Sequence, residues 1–487
     1  MRIEEGPKVI QTSLRNTAAQ KRHEKASFSG LPSDALQPSK GTTWGRSGSN
    51  RSWLRSFLSA TPLWLGPLVA VSFEISLRHF NGSLAMVLTA YREQGILPVL
   101  YTYGPRWSLK TLMAYTCWIV LQAILYVGLP GPNHQGQQTP AGHLLTYRVN
   151  GLRAWILTYS LLSVLWVAGV IDVAVVAEDW SGWFVAMNLF GLLASAMAFV
   201  KAHVAPTHSG DRKFTGNAFL TTSGLDSTAY DFYMGIELNP RLGEDFDLKL
   251  FTNGRAGMMT WTLIDISNLA LQHRNGTLSA SLVLVTILHS IYIVDFFANE
   301  SWYLRTIDIT HDHYGFYLAW GCFTWLPAMY TLQAQYLGRY PTRPSPAYMA
   351  VTLSLGLLGY YIFRRVNAQK DLCRRTNGDC LIWGEPARFI IAPYRTSDGT
   401  LHKSLLLCNG WWGVSRHANY TGDLLLSFSM CAVVGTTTLL VWFYAIFMTG
   451  LLLHRCLRDE ERCLAKYGSS WDEYCRRVPW RLIPGIW

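Results

Sequence analysis

Charged, aromatic and sulfur-bearing side chains alternate at close spacing at the C-terminal end of the chain, HRCLRDEERCLAKYGSSWDEYCRRVPWRLIPGIW. Arg455, Asp459, Cys463 and Lys466 follow one another at i, i+4, i+8 and i+11, so a helix would present them on one face. A surface helix with a weak exposed ion pair is the ordinary interpretation of such charges. A helix that faces only solvent would not carry the aromatic side chains that continue the row: Tyr467, Trp471 and Tyr474. We therefore favour a face that binds an anion or stacks on a ring.

Two stretches upstream could add contacts to an anion. In RRVNAQKDLCRR, a helix would place Asn367, Lys370 and Arg374 on one face, where the two cations could hold a phosphate together. By itself this stretch favours a different interpretation, a basic cluster that ends a membrane span and reaches to lipid headgroups.

In LLLCNGWWGVSRHANYTGD, glycines allow a close backbone approach beside donors and stacking faces: Trp411, Trp412, Arg416, His417, Asn419 and Tyr420. A ligand loop and an amphipathic interfacial segment explain this second stretch equally well.

Another polar cluster, IDITHDHYGFY, stands at the start of an apolar stretch and includes Asp308, His311 and His313. A metal site is the less favoured interpretation, because two histidines two residues apart would point about 200° away from each other on a helix. Further histidines or carboxylates at metal-binding spacing are absent from this stretch. Polar groups next to a membrane span more often form a proton relay or contact a polar part of a substrate, and we expect that here.

Composition points to a membrane protein. Half of the 487 residues are hydrophobic and 15% are charged, whereas soluble domains carry about 25% charged residues. The net charge of +11 is gathered in three places, the first 55 residues, residues 364–416 and the segment after 453. Cytosolic loops of a membrane protein explain these clusters, and we expect no nucleic-acid partner.

The nine cysteines form no CxxC pair, which argues against zinc and disulfide frameworks. Neither GxGxxG nor GxxxxGK[ST] occurs, so a dinucleotide would have to bind to the basic and aromatic C-terminal segments.

Apolar stretches of about 20 residues predict an all-α polytopic membrane protein with nine or ten spans. The candidates lie near 60–78, 108–128, 152–178, 182–204, 257–273, 278–298, 313–336, 346–363 and 423–453. The last stretch is long enough for one long helix or for a tight helical pair. Residues 1–55 are rich in Ser, Gly, Lys and Arg and are expected to be a disordered basic tail, without a secretory signal.

These stretches together resemble the sterol reductase family, which includes the Δ14- and Δ7-sterol reductases and the C-terminal part of the lamin B receptor. The similarity covers roughly residues 60–487 and is carried by NPRLG, FDLKLFTNGR, WLPAMYTLQAQYL, RVNAQKDLCRR and the long C-terminal run. DITHDHYGFYLAWG, YRVNGLRAW and RRTNGDCLIWG are most similar to the Δ7 branch. The resemblance implies a multi-pass protein of the endoplasmic reticulum membrane with about ten helices. It also implies NADPH-dependent reduction of the sterol C7=C8 bond, with sterol and lipid bilayer, and other sterol-biosynthesis enzymes, as the expected partners.

The resemblance divides the chain into the tail and a sterol reductase domain over 56–487, whose NADPH-binding part covers about 364–487 and faces the cytosol. Lys370 and Arg374 align with phosphate contacts of the family. The other cofactor contacts that it implies are Leu407, Trp412, Asn419, Tyr420, Asp459, Cys463, Leu464, Ala465, Lys466, Tyr467 and Tyr474. A double bond without a carbonyl accepts hydride only when an acid supplies a proton, and the candidates for that acid are Asp308, His313, Tyr317 and Tyr330.

One position departs from the family pattern. Trp320-Gly321-Cys322 stands where the family usually has Trp-Gly-Asp, so a carboxylate is missing. This substitution favours a chain that binds sterol without catalysis, while the nearly complete set of cofactor residues argues against that interpretation. A Δ14-sterol reductase also fits the family motifs. A membrane methyltransferase could carry a similar C-terminal tail but would leave FDLKLFTNGR unexplained.

Overall fold

The computed structural model of the protein describes residues 53–214 and 224–487. The predicted tail 1–55 lies outside the described residues, except for its last three residues, which begin the first helix. Within the described ranges the protein is mostly helical, with short antiparallel hairpins between some helices.

The first half of the chain contains, in order, α1 (Trp53–His79), α2 (Leu84–Gln94), α3 (Ile96–Tyr103), α4 (Leu109–Gly128), β1 (Asn133–Gln135), β2 (Thr146–Arg148), α5 (Gly151–Val167), α6 (Val175–Glu178), α7 (Trp180–Val204), a 3-10 turn (Ser209–Asp211) and α8 (Gly224–Met234). The middle of the chain continues with β3 (Arg241–Leu242), β4 (Phe246–Asp247), α9 (Leu248–Leu250), a π-helical segment (Phe251–Met258), α10 (Met259–Arg274), α11 (Ala280–Ala298), α12 (Glu300–Tyr303) and α13 (Ile307–Thr310).

The C-terminal part contains α14 (Phe316–Trp320), a second π-helical segment (Gly321–Trp325), α15 (Leu326–Met329), α16 (Leu332–Arg339), α17 (Pro346–Arg375), β5 (Leu381–Ile382), β6 (Glu385–Pro386), β7 (Phe389–Arg395), β8 (Leu401–Leu407), α18 (Trp411–Val414), α19 (Ala418–Ala432), a 3-10 turn (Leu440–Trp442), α20 (Phe443–Tyr467) and α21 (Ser469–Arg477).

Length and composition qualify some of these helices as membrane spans. Five helical segments in the described ranges are long and apolar enough to cross a membrane: Leu109–Gly128, Trp180–Val204, Ala280–Ala298, Pro346–Arg375 and Leu440–Tyr467. Their outward faces carry large apolar side chains such as Ile124, which is 62% exposed, as expected for a surface in contact with lipid. The protein is therefore a helical membrane protein, and the total of about ten spans stays a prediction.

Three predicted spans differ from the helices observed. The segment 152–178 is not one span, because α5 ends at Val167 and Gly169 adopts a left-handed conformation with φ +71°. The segment 313–336 is divided among α14, the second π-helical segment, α15 and α16. The segment 423–453 is a helical pair, one of the two predicted arrangements, since α19 ends at Ala432 and α20 begins at Phe443.

A small layer that is not purely helical covers the end of the helical bundle. Strands β7 and β8 pair in an antiparallel hairpin from Phe389 opposite Leu407 to Arg395 opposite Leu401. One face of the hairpin packs on α21, where Trp471 is buried. The all-α prediction is thus incomplete at the place where polar segments follow α17.

The chain end returns to this layer and explains the apolar residues of the last segment. The backbone N–H groups of Arg416 and His417 donate to the carbonyl oxygens of Trp480 and Arg481, both at 2.9 Å. The Arg416 guanidinium also donates to Glu460 on α20 at 3.2 Å. The C-terminal end of the chain is therefore folded against the loop before α19.

A buried ion pair ties the central helices together. Glu300 accepts a hydrogen bond from the backbone N–H of Gly151, at the start of α5, at 2.7 Å. Its other oxygen lies 3.5 Å from Arg255, and both side chains are almost completely buried. Arg255 also donates to Asn150 at 2.6 Å. A charge buried this deeply is stable only while its partner remains.

Glu300→Ala should lower the free energy of unfolding by about 3–5 kcal/mol, because Arg255 would keep its charge in the interior without its carboxylate. Thermal unfolding of the purified protein in detergent measures the effect. Glu385→Ala is the matched control, since Glu385 is exposed on β6. Equal melting temperatures for the two variants would contradict a stabilising role for the pair.

Candidate active site

Positive charge converges where α17 faces α20. The Lys370 ammonium interacts electrostatically with Arg374 on its own helix and with Asp459 and Arg462 on α20. Lys466, one turn further along α20, is 7% exposed and interacts with the same two arginines. The predicted phosphate contacts on α17 and the predicted face of α20 therefore meet. We call Lys370, Arg374, Arg462 and Lys466, with Asp459, the cationic cluster.

The cationic cluster carries more positive charge than its carboxylate balances. Asp459 accepts hydrogen bonds from Arg462 at 2.5 and 3.0 Å and is its close partner. The Nε atom of Arg374 and the Oδ1 atom of Asn419 are buried and have no hydrogen-bond partner among the described residues. Buried charges and buried polar atoms are costly unless they are paired. The cluster thus has the chemistry of a site for a polyanion that also offers hydrogen-bond donors.

Predicted loop residues form one wall beside the cationic cluster. The indole N–H of Trp412 donates to the carbonyl oxygen of Val366 at 2.8 Å, and the Lys370 Nζ atom lies 4.2 Å from the indole ring centre. Asn419 lies 3.5 Å from Asn367 on α17. Leu407 is buried in the same cluster of side chains as Trp412, and Tyr474 OH is 3.4 Å from the Trp412 carbonyl oxygen.

The β7–β8 hairpin forms a second wall, which the sequence patterns did not reveal. The Lys466 Nζ atom lies 4.0 Å from the ring centre of Tyr394 on β7. Tyr394 also meets Tyr467 edge to face at 5.9 Å and stacks on His402 of β8 at 5.2 Å. Burial raises the pKa of Tyr394 to about 12, so its ring is neutral at physiological pH. A helical spacing rule could not find Tyr394, because it belongs to a strand.

The run from Cys463 to Tyr467 does not turn all of its side chains the same way. Cys463 is 4% exposed and faces the hairpin layer, whereas Leu464 is 47% exposed on the opposite side of α20. Ala465 is half-buried. The structure therefore gathers Cys463, Lys466 and Tyr467 and leaves the Leu464 side chain outside, so a cofactor contact of Leu464 would have to come from its backbone.

A second cluster lies further towards the N-terminal end of α20 on the same helix face. Arg455 donates to Asp308, at the start of α13, at 2.6 Å. Its guanidinium also interacts electrostatically with three tyrosines, Tyr303, Tyr330 and Tyr420. We call these five residues the arginine–tyrosine cluster. Asp308 is thus the ion-pair partner of this buried guanidinium.

His417 and Tyr420 connect the two clusters. Their rings stack at 5.1 Å with an angle of 7°. Tyr420 interacts electrostatically with both Arg455 and Asp459, which are one turn apart on α20. Burial lowers the pKa of His417 to about 4, so its imidazole is neutral at pH 7. The connection is a stack of neutral rings between two charged groups.

The loop that carries Asp308 is fixed from both sides. Lys249 is completely buried and donates to the carbonyl oxygens of Ile309 and Asp312, at 2.9 and 2.6 Å, and to Asn239 at 3.1 Å. Burial lowers the pKa of Lys249 to about 7. On the other side, the Asp312 carboxylate forms an ion pair with Arg458 of α20. Sequence patterns do not predict this role for Lys249, although the residue stands within the family motif FDLKLFTNGR.

The remaining predicted acids divide between two places. Tyr330 meets Tyr444 at 4.8 Å and Trp261 at 5.7 Å, within an aromatic wall beside the arginine–tyrosine cluster. Tyr317 instead meets Tyr233 of α8 at 5.9 Å, and His313 is buried in the loop before α14. Of the four candidates, the structure brings Asp308 and Tyr330 together.

Cys322 lies where two irregular helical segments face each other. It is 5% exposed in the second π-helical segment, and Asn253 of the first lies 3.7 Å from its sulfur. π-Helical turns occur frequently at functional sites. Within the described ranges, groups of three or more His, Cys, Asp or Glu side chains that could hold a metal ion are absent.

The chain is similar over most of its length to known sterol-biosynthesis proteins. The sequence model of the Ergosterol biosynthesis ERG4/ERG24 family matches residues 70–487. The chain is 41% identical to the 7-dehydrocholesterol reductase of Danio rerio, over 96% of this chain and 98% of the relative. It is 43% identical to the 7-dehydrocholesterol reductase of Xenopus laevis, over 91% and 94%. It is 37% identical to the Delta(14)-sterol reductase of Methylotuvimicrobium alcaliphilum, over 90% and 95%.

The predicted resemblance is confirmed over nearly the whole chain, and the matched residues 70–487 include every segment that contributes to the cationic cluster and to the arginine–tyrosine cluster. The chain belongs to the ERG4/ERG24 family of sterol reductases.

Proposed function

We propose that this protein reduces the C7=C8 double bond of Δ5,7-sterols with NADPH in the endoplasmic reticulum membrane. The observation that carries the proposal is that one face of α20 contributes to two clusters. The first cluster is suited to bind a polyanion, and the second is buried and contains a side chain that can donate a proton. The names of the most similar relatives favour C7=C8 over other sterol double bonds. The Δ14-sterol reductase among the relatives makes C14=C15 reduction the second candidate.

The cationic cluster fits the phosphates of NADPH. At neutral pH the dinucleotide carries several negative charges, and the cluster holds four basic side chains against one carboxylate. Arg374 would grip a phosphate with its planar guanidinium, while Lys370 would act as a point charge. The buried Nε atom of Arg374 and Oδ1 atom of Asn419 would gain partners. The rings of Trp412 and Tyr394 offer flat surfaces on either side.

NADPH supplies a hydride when bound, and the protein must supply a proton to the other carbon of the double bond. We assign that proton to the hydroxyl group of Tyr330. Burial raises the pKa of Tyr330, so its hydroxyl group keeps its proton at neutral pH, while the guanidinium of Arg455 acts in the opposite direction and favours the phenolate that remains after transfer. Asp308 holds Arg455 in place at 2.6 Å and is therefore a positioning residue. His313 and Tyr317 stay as alternative donors.

Positive charge develops on the sterol ring as the proton arrives. The aromatic wall of Trp261, Tyr330 and Tyr444 surrounds the place where this would occur. Cation–π attraction to such rings contributes about 0.5–2 kcal/mol for each ring. The wall also excludes water, which would otherwise capture the cation.

The proposal is tested by expressing the chain in a host cell that accumulates Δ5,7-sterols and measuring the sterols by mass spectrometry. Loss of the 5,7-diene absorbance with gain of Δ5-sterols is the expected result. Conversion only of Δ14-sterols would move the assignment to the second candidate. No conversion of either, with the protein present in the membrane, would support a sterol-binding protein without catalysis.

Lys370→Ala should raise the KM for NADPH by roughly 10- to 100-fold, because a hydrogen bond to a charged group contributes about 1.5–3 kcal/mol. Initial rates at varied NADPH concentration measure it. Arg365→Ala is the matched control, since Arg365 is an exposed basic residue on the same helix. An unchanged KM in Lys370→Ala would remove the cationic cluster from cofactor binding.

Tyr330→Phe should lower kcat by about 100-fold or more and leave the KM for NADPH nearly unchanged, because it removes a proton donor and keeps the ring. Tyr317→Phe is the matched control, because it removes the same hydroxyl from a different site. If Tyr317→Phe lost activity while Tyr330→Phe kept it, the proton donor would be reassigned to Tyr317.

Cys322→Ala tests the departure from the family pattern. Because the Cys322 thiol makes only weak hydrogen bonds, to Asn253 and Thr252, we expect turnover to remain within about twofold of the unmodified protein. Steady-state rates with a Δ5,7-sterol give the answer. A large loss of kcat in Cys322→Ala would instead mean that the thiol has taken over a role in the reaction.

A further inference from the structure

A polar cleft of about 360 Å³ opens at the ends of several helices, and its lining includes none of the residues assigned above. It lies between the C-terminal end of α1, the connection from α3 to α4 and the junction of α6 with α7. Arg78, Tyr103, Arg106 and Ser108 line one part of it, and Gly182 lines another. The cleft is open to the outside of the protein, so it is accessible to a ligand.

The cleft stands at the level where membrane spans begin. α4 begins at Leu109 and α7 begins at Trp180, and both are among the segments long and apolar enough to cross a membrane. Residues just before such helices lie among lipid headgroups. Trp107 is 70% exposed at the rim of the cleft, and tryptophan is enriched at this level of a membrane.

The acidic side chains around the cleft already have basic partners. Glu178 forms an ion pair with Arg274. Asp179 lies 3.7 Å from Lys110. These carboxylates therefore do not repel an anion as isolated charges would.

The basic side chains of the cleft are less completely satisfied. Arg78 lies 3.3 Å from Glu74 and donates to the carbonyl oxygen of Glu178 at 3.0 Å. Arg106 is exposed, and within residues 53–214 and 224–487 its guanidinium has no ion-pair partner. The backbone N–H of Arg106 donates to Ser181 at 2.7 Å, which fixes the residue at the cleft. The cleft thus presents the Arg106 guanidinium, which is available to a ligand, beside the Arg78 guanidinium, which is only partly engaged by its protein partners.

We propose that this cleft binds the phosphate of a membrane phospholipid, with Arg106 as its main contact. A guanidinium matches two phosphate oxygens at once. The neighbouring surface suits the acyl chains, because Leu97, Leu109 and Met113 on α3 and α4 are 78%, 58% and 55% exposed. Basic pockets between membrane helices bind anionic headgroups in this way. The inference is independent of the proposed catalytic function.

The test measures the melting temperature of the purified full-length protein in detergent during titration with dioctanoyl phosphatidylglycerol. Inorganic phosphate and dioctanoylglycerol are titrated in parallel, since the first lacks the acyl chains and the second lacks the phosphate. Arg106→Gln is the test variant, and Arg106→Lys asks whether a retained positive charge rescues binding. Arg343→Gln is the matched control, because Arg343 is an exposed arginine in the connection from α16 to α17.

Phosphatidylglycerol should stabilise the unmodified protein and Arg343→Gln equally. The half-saturating concentration should rise at least about fivefold in Arg106→Gln, as expected for loss of one basic contact near a membrane, and should recover in part in Arg106→Lys. Equal stabilisation by dioctanoylglycerol, or an Arg106→Gln curve identical to that of the unmodified protein, would overturn the proposal. Equal stabilisation by inorganic phosphate would overturn the lipid assignment and leave a site for a free anion.

Discussion

Buried positive charge on one face of α20 is the constraint on which the rest of the site depends. Arg455, Arg462 and Lys466 lie on this helix, and each is held in surroundings where water cannot solvate it fully. The neighbouring elements supply carboxylates, carbonyl oxygens or aromatic faces, which lower the free-energy cost of burying these charges. These groups come from α17, from the loop after β8 and from the segment before α14.

The segment from α13 to α14 is the clearest case of such dependence. Its two carboxylates, Asp308 on α13 and Asp312 in the loop that follows, bind Arg455 and Arg458 on the α20 face. The buried ammonium of Lys249 holds the backbone of the same loop from the other side. The loop cannot move without exposing one of these charges to an apolar interior. The polar cluster for which the sequence predicts a proton relay or a polar substrate contact thus also fixes this segment against α20.

Helical spacing predicts which residues of each helix in the C-terminal third share a face. The i, i+4 rule selects Lys370 and Arg374 on one helix, and Asp459, Cys463 and Lys466 on another, and the structure brings both rows together. Spacing does not find Tyr394 and Lys249, because one lies on a strand and the other is buried by contacts from residues 60 positions away. Span boundaries fail where polar residues interrupt apolar stretches, as in 313–336, since hydropathy does not report breaks of helix geometry.

The presence of two separate clusters along α20 also bears on the missing carboxylate at position 322. An aspartate there would lie near Asp308 and would share the field of Arg455 with it. With Cys322, Asp308 meets Arg455 without a further carboxylate at position 322, and Asn253 has a weak contact to the sulfur. The substitution therefore changes the balance of charge around Tyr330 more than it changes packing, because cysteine behaves as a small apolar residue when buried. A change of this kind alters the charge around Tyr330 while keeping the shape of its surroundings, which leaves the cationic cluster on the far part of the same helix undisturbed.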